Sequence, residues 1–236
     1  LANCAGYGVV DKELSLSEKR KLHGWINANS ADDYEPVKIF YKEADVENVT
    51  SGTFWLTDTP NTPSKMSNQN QHRMAQWMRC TYKGCPMMVV AVHMSQKTSN
   101  NDQGDSEPMQ SLREYEMGVV QSWLDNPDNY DPSVDGPVVL AGDFNANQSN
   151  AVFTNWKRNN AKRGWYYARD TMWDKDQNAA DVGKTFNNWG GDATSTIDHQ
   201  FYSGFSDVKS YKVDREPYAG VTYISDHWPL TVVYEF

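Results

Sequence analysis

Five side chains stand where they could move a proton or hold a phosphoryl oxygen. Gly142-Asp143-Phe144-Asn145 follows the apolar run Pro137–Ala141. In extended chain Asp143 and Asn145 project to one side while Phe144 turns to the other and packs. A carboxylate and an amide are thereby offered together: the first can hold a water or a metal, the second can donate to a phosphate oxygen. Read alone, these residues are also ordinary turn formers. His93 ends the buried run Met87–His93, and Asp198 interrupts the alternation Thr196-Ile197-Asp198-His199-Gln200-Phe201. Ser225-Asp226-His227-Trp228-Pro229 comes just before the last apolar run. Each of these reads singly as structural, a strand-end histidine or a solvated strand carboxylate. Taken in order they supply imidazoles, carboxylates and an amide at successive strand ends, the groups that acid–base work on a phosphate ester requires.

The elements that would carry them are mostly strands. Pro36–Tyr41 and Asp45–Trp55 alternate and read as a hairpin, and Met74–Met78 and Met87–His93 as a second strand pair. The run Thr57–Gln71, rich in Pro, Asn, Ser and Gln, is a loop, and Ser95–Pro108 is a polar loop of the kind that lines a site. Leu112–Leu124 carries an apolar face at helical spacing and Pro127 ends it; Val152–Asn160 is a second helix. Thr194–Ser203, Val208–Val213 and Pro229–Phe236 complete the strands. Upstream, a Gly-Tyr-Gly turn at 6–8 precedes a charged helical stretch, Ser15–Asn27. Strands with helices between them imply an α/β sandwich, and with no internal repeat or long linker residues 1–236 read as a single domain.

The 236 residues have a net charge of −9, with 39 % hydrophobic and 13 % aromatic content. That composition excludes disorder, collagen and coiled coil. The longest nearly unbroken apolar run, Pro86–Val92, falls far short of the roughly 20 residues a membrane-spanning helix needs. An acidic chain has no global field for a polyanion, so a nucleic-acid substrate would be held by local cations or a metal. A tight turn within Cys80-Thr81-Tyr82-Lys83-Gly84-Cys85 could set the two sulfurs opposite each other as a disulfide; reduced, half-buried thiols are the alternative. The sequons at Asn48 and Asn147 favour an extracellular or periplasmic home, where the odd Cys4 would seek a partner. His72-Arg73 offers a guanidinium for substrate or for an edge-strand ion pair, and Trp165-Tyr166-Tyr167 and Trp189 offer rings for a base or sugar. Asp174–Asn178 begins like a calcium loop but lacks its glycine and distal glutamate and reads as solvated loop. His199, beside Asp198, points to the opposite face and reads as structural.

The set Phe54-Trp55-Leu56, His93, Gly142-Asp143-Phe144-Asn145, Ile197-Asp198 and Ser225-Asp226-His227-Trp228-Pro229 resembles the endonuclease/exonuclease/phosphatase superfamily, from about Tyr34 to Phe236. Ser51–Leu56 is most similar to a bacterial and fungal branch related to the nocturnin-like deadenylases. The resemblance implies a four-layered α/β sandwich, two central mixed or antiparallel sheets flanked by helices, and a Mg²⁺- or Mn²⁺-dependent phosphoesterase acting on a nucleic acid or a small molecule. It implies His227 as general base or phosphate-proximal histidine, Asp198 as its orienting carboxylate and Asp143 as the group that positions water. It makes Asn145 and His93 the stabilisers of phosphoryl charge, Arg73 a substrate contact and Asp226 a metal approach. The principal Asn and Glu metal ligands of that pattern, carried on N-terminal strands, are not found; Glu13, Glu18, Glu35, Glu43 and Glu47 lack the preceding apolar strand. The expectation is therefore an N-terminally incomplete sandwich completed by a further segment or a second chain. The opposing function class is a non-catalytic relative, a binding or structural module with a degenerate metal site.

Overall fold

The computed structural model describes residues 7–10, 37, 39–42, 44–69, 71–96, 107–175, 183–191, 195–217 and 220–236. The expected helix Ser15–Asn27, Cys4 and the acidic positions 13, 18, 35 and 43 lie outside the described residues. The chain divides into two compact units, Leu1–Gly136 and Pro137–Phe236. Both mix strands with helices, so the chain is of α/β class.

In the first unit β3 (Val46–Trp55), β4 (Met74–Tyr82) and β5 (Cys85–His93) form an antiparallel meander. β5 alternates buried and half-buried positions, the period of a strand with one face in a core. The long helix Glu107–Asp125 lays Trp123 on that core, stacked on Phe54 with ring centroids 4.5 Å apart and tilted against Trp77 at 5.9 Å. It is the expected amphipathic helix, begun a turn and a half earlier. Among the described helices none is long and apolar enough to cross a membrane.

Two expectations change here. β2 (Ile39–Lys42) does not make a hairpin with β3; it pairs antiparallel with β1 (Tyr7–Val10), so Tyr7 and Gly8 lie in a strand and not in a turn. Burial explains the choice: Ile39 packs with Met78 and Cys80, and its amide donates to Gln76 Oε1 at 2.9 Å. The second change is the disulfide. Lys83 and Gly84, with φ of 50° and 81°, make a two-residue turn that pairs Tyr82 with Cys85 and Cys80 with Met87. The cysteines are thus diagonal neighbours, about 7–8 Å apart across a sheet, beyond disulfide reach. Both are free. Burial pushes the Cys80 thiol up to about 11, leaving it a small apolar side chain. The argument for an oxidising compartment therefore loses its disulfide.

A short helix, Pro132–Asp135, capped by Asp131, closes the first unit at Gly136. Gly136 has φ +70°, and a Cβ there would fall on the Pro86 carbonyl oxygen, which belongs to backbone and cannot step aside. Gly136→Ala is therefore expected to cost about 2–4 kcal/mol, from positive-φ strain plus overpacking. Gly84→Ala, also at positive φ but with open space around it, should cost only the strain. Thermal melts of the two variants compare the terms, and equal losses would show that the close approach contributes nothing.

In the second unit β6 (Val138–Asp143) and β7 (Trp165–Tyr167) both pair antiparallel with β8 (Asp198–Ser203). β9 (Asp207–Val213) and β10 (Leu230–Glu235) make a second antiparallel pair. Helices Ala151–Asn160 and Ala168–Lys175 complete it, the latter absorbing Asp174, which the sequence places in a loop. The core is aromatic: Phe144, Phe153, Trp156, Tyr167 and Phe201 meet edge-on or stacked at 4.6–5.6 Å. Tyr234 on β10 reaches β8 through its hydroxyl, which donates to Gln200 Oε1 at 3.0 Å.

Candidate active site

The site grows from one strand register. β6 ends at Asp143 and β8 begins at Asp198, and antiparallel pairing sets these two residues directly opposite each other. Directly opposed side chains lie about 4.5–5.5 Å apart at Cβ, so two carboxylates are brought together at the end of the sheet. Phe144, with no exposed surface, turns into the aromatic core as expected. Its amide extends the ladder to Ile197 O at 2.9 Å. Asn145 takes φ +50°, and its amide donates to Asp143 Oδ1 at 2.7 Å, a side-chain turn that aims the carboxylate.

His227 arrives from the other side. Its Nδ1 lies 2.7 Å from Asp198 Oδ2, and its Nε2 lies 3.8 Å from Asp143 Oδ2. All three side chains are 17–24 % exposed, reachable but partly desolvated. Because Asp198 accepts the Nδ1 proton, the neutral ring keeps its lone pair on Nε2, facing Asp143. Burial opposes charging the ring, but the Asp198 hydrogen bond and the charges of Asp198, Asp143 and Asp226 outweigh it, so its pKa lies above the ordinary histidine value.

The segment 183–191, of which sequence reasoning singled out only Trp189, holds this arrangement. Buried Thr185 accepts from the amides of Ile197 and Asp198 at 3.0 and 3.1 Å, and its carbonyl accepts from Trp228 N at 2.6 Å. Phe186 packs edge-on against His227 with centroids 5.1 Å apart. Asn187 and Asn188 donate their amides to Asp226 O at 2.7 and 3.1 Å. Local sequence carries only a faint sign of this role, the short polar–aromatic run Thr185-Phe186-Asn187 just ahead of Thr196-Ile197-Asp198.

Of the residues singled out from sequence, Asp143, Asn145, Asp198 and His227 fall together in the second unit. His199 is structural, as its place on the opposite face from Asp198 implies. Fully buried, it meets Tyr167 Oη at 2.7 Å and Ala146 O at 2.8 Å, and burial drives its pKa down to about 4. It thereby pins the backbone immediately after Asn145. His93 ends β5 in the first unit, half-buried. Arg73, in the same unit, is only 1 % exposed; it donates to Gln71 Oε1 at 2.8 Å and its charge offsets that of buried Glu116. It is internal, not the edge-strand surface pair that the sequence allows.

Among the described residues one group could hold a metal ion: Asp143, Asp198 and His227 each offer a ligand atom within 4.8 Å of the others. Asp226, expected to approach a metal, is not in it. Its carboxylate accepts from Ser225 Oγ at 3.3 Å while its carbonyl serves the segment 183–191. The two carboxylates fit a hard divalent cation, which takes oxygen ligands, whereas Nδ1 of His227 is committed to Asp198.

Two strand-end carboxylates and an oriented imidazole thus meet on an α/β scaffold. The family model described as the Endonuclease/Exonuclease/phosphatase family matches residues 59–227, well over half of the chain, and the chain belongs to that family. Members generally hydrolyse phosphoric esters, typically with a divalent metal. Solved structures share the fold. A mannosyl-6-phosphatase from Bacteroides thetaiotaomicron VPI-5482 aligns with a TM-score of 0.66 at 24 % identity, over 84 % of this chain and 70 % of its own. TDP2 of D. rerio, complexed with single-strand DNA product, gives 0.58 at 15 % identity over 98 % and 86 %. The human nocturnin catalytic domain, with a bound sulfate anion, gives 0.53 at 15 % over 83 % and 63 %. Among curated proteins none matches the chain.

Proposed function

We propose that this protein hydrolyses a phosphate ester by attack of water, with His227 and Asp143 handling the water and Asp198 orienting His227. The observation that carries the reading is the His227 ring held between two carboxylates, 2.7 Å from Asp198 and 3.8 Å from Asp143. With its Nδ1–H held in a hydrogen bond to Asp198, Nε2 can take a proton from water and later give it to the leaving oxygen. Asp143, aimed by the Asn145 amide, holds the water in line, which is where most of the advantage of such a site arises. The Asn145 side chain donates to the phosphoryl oxygens. The divalent cation of the family, Mg²⁺ or Mn²⁺, would be held by oxygens of Asp143 and Asp198 and would polarise the phosphoryl group.

Membership of the family and the neighbouring phosphatase and DNA-processing folds support hydrolysis of a phosphoester as the reaction class. The purified chain, assayed with Mg²⁺ on p-nitrophenyl phosphate, bis-p-nitrophenyl phosphate, DNA and RNA, should hydrolyse at least one, and EDTA should abolish the turnover. Turnover that survives EDTA would remove the metal from the reading. No hydrolysis of any of the four would favour the binding-module class.

A further inference from the structure

Trp189 has a backbone conformation that bulky residues avoid. Its φ and ψ of 54° and 33° are left-handed, and Asn188 before it is left-handed too, at φ 47°. Asparagine tolerates that region at small cost; a residue as large as tryptophan there is a true outlier. At 61 % exposure the indole forgoes most of the burial that makes tryptophan stabilising. A turn that needed only the geometry would carry Asn or Gly, as the chain does on either side at Asn188 and Gly190.

The loop is nevertheless rigidly specified. Asn187 Oδ1 accepts from Trp189 N at 2.8 Å, and the amides of Gly190 and Gly191 return to Asn187 O and Asn188 O at 3.0 and 2.9 Å. A Cβ on Gly190 would fall on the Tyr223 ring, so the chain there is packed as closely as glycine allows. The same loop is fastened to the segment that bears His227: Asn187 and Asn188 donate their amides to Asp226 O, and Asn187 Nδ2 donates to Ser225 O at 3.2 Å. Phe186, three residues before Trp189, touches the His227 ring itself. Strained backbone persists where the surroundings over-determine it, and such places cluster at working sites.

We infer that Trp189 is a stacking platform for the substrate, holding a flat ring carried by the phosphate ester; the inference rests on the phosphoesterase reading above. An exposed indole offers a π-face to a nucleobase and an apolar face to the C–H side of a pyranose, and the shared chemistry is a flat ring face one group away from the phosphorus. Trp189 is thus a specificity residue and takes no part in the proton transfers.

The test uses wild type, Trp189→Ala and Trp189→Phe with a nucleoside ester, a hexose ester and a ring-free glycerol ester of phosphate, in whichever ester class the protein hydrolyses. Trp189→Ala should raise KM about tenfold on a ring-bearing ester, in line with loss of one stacked ring. It should leave kcat and the glycerol ester little changed, and Trp189→Phe should restore most of the loss. An effect on the nucleoside ester identifies an aromatic ring, and one on the hexose ester identifies a sugar. Equal KM changes on all three esters, or none on any, would overturn the stacking role while leaving the hydrolytic reading intact. If wild type hydrolyses no ester, the indole N–H resonance missing from the Trp189→Phe spectrum is followed as each ester is titrated. A shift with ring-bearing esters alone keeps the platform, and no shift removes it.

Discussion

His227→Ala should lower kcat by about two to four orders of magnitude, the contribution of a positioned acid–base group, while the protein stays folded. The fold should tolerate it because His227 lies outside the hydrophobic core, with 24 % of its side chain exposed, and Asp198 at 21 % can be rehydrated when the ring is gone. What disappears is the Nε2 lone pair facing Asp143. Circular dichroism melts run beside the kinetics separate the two effects. A variant that melts normally and turns over at close to the native rate would make the histidine structural and leave the two carboxylates to act without it.

Asp198→Asn should be nearly as severe, a loss of two orders of magnitude or more, and should also displace the pH profile. The carboxylate fixes the Nδ1-protonated tautomer through the 2.7 Å contact, and an amide can present its NH₂ instead, which selects the wrong tautomer. The charge matters separately. Burial works against protonating His227, but the Asp198 hydrogen bond and neighbouring carboxylates prevail and raise the pKa. The ring acts as a base only when neutral, so kcat/KM should rise with pH through the titration of His227, which forms its acidic limb. Removing the Asp198 charge lowers the pKa, so the limb should move to lower pH. For stability the same linkage reads oppositely: the contribution of the protonated pair is full below pH 6.5 and is lost as pH rises through the elevated folded value. A kcat/KM profile whose acidic limb stays in place in Asp198→Asn would show that the limb belongs to another group.

Local sequence determined the parts of the site that depend on one strand end at a time. Gly142-Asp143-Phe144-Asn145 announces a strand that stops with its polar residues together and its aromatic residue inward, and β6 ends there with Phe144 buried. Asp198 and His227 read singly as structural and are paired only by the family resemblance, and that Asp198–His227 contact is present. What no window of sequence contains is register and pairing. That Asp143 faces Asp198 follows from how β6 meets β8 across an interval of more than fifty residues. The two-residue turn at Lys83-Gly84 decides that Cys80 opposes Met87 and so cannot bond Cys85. The burial of Ile39 against Met78 and Cys80 turns β2 away from β3, and the segment 183–191 gains its role from backbone bonds to Asp226 together with the Thr185 hydroxyl and the Phe186 ring, contacts that only the fold brings about. Side-chain periodicity is written locally because it reports which face of a strand is dry. Which strands meet, and in what register, is set by burial and hydrogen bonding summed over the whole unit, and there the tertiary structure alone decided.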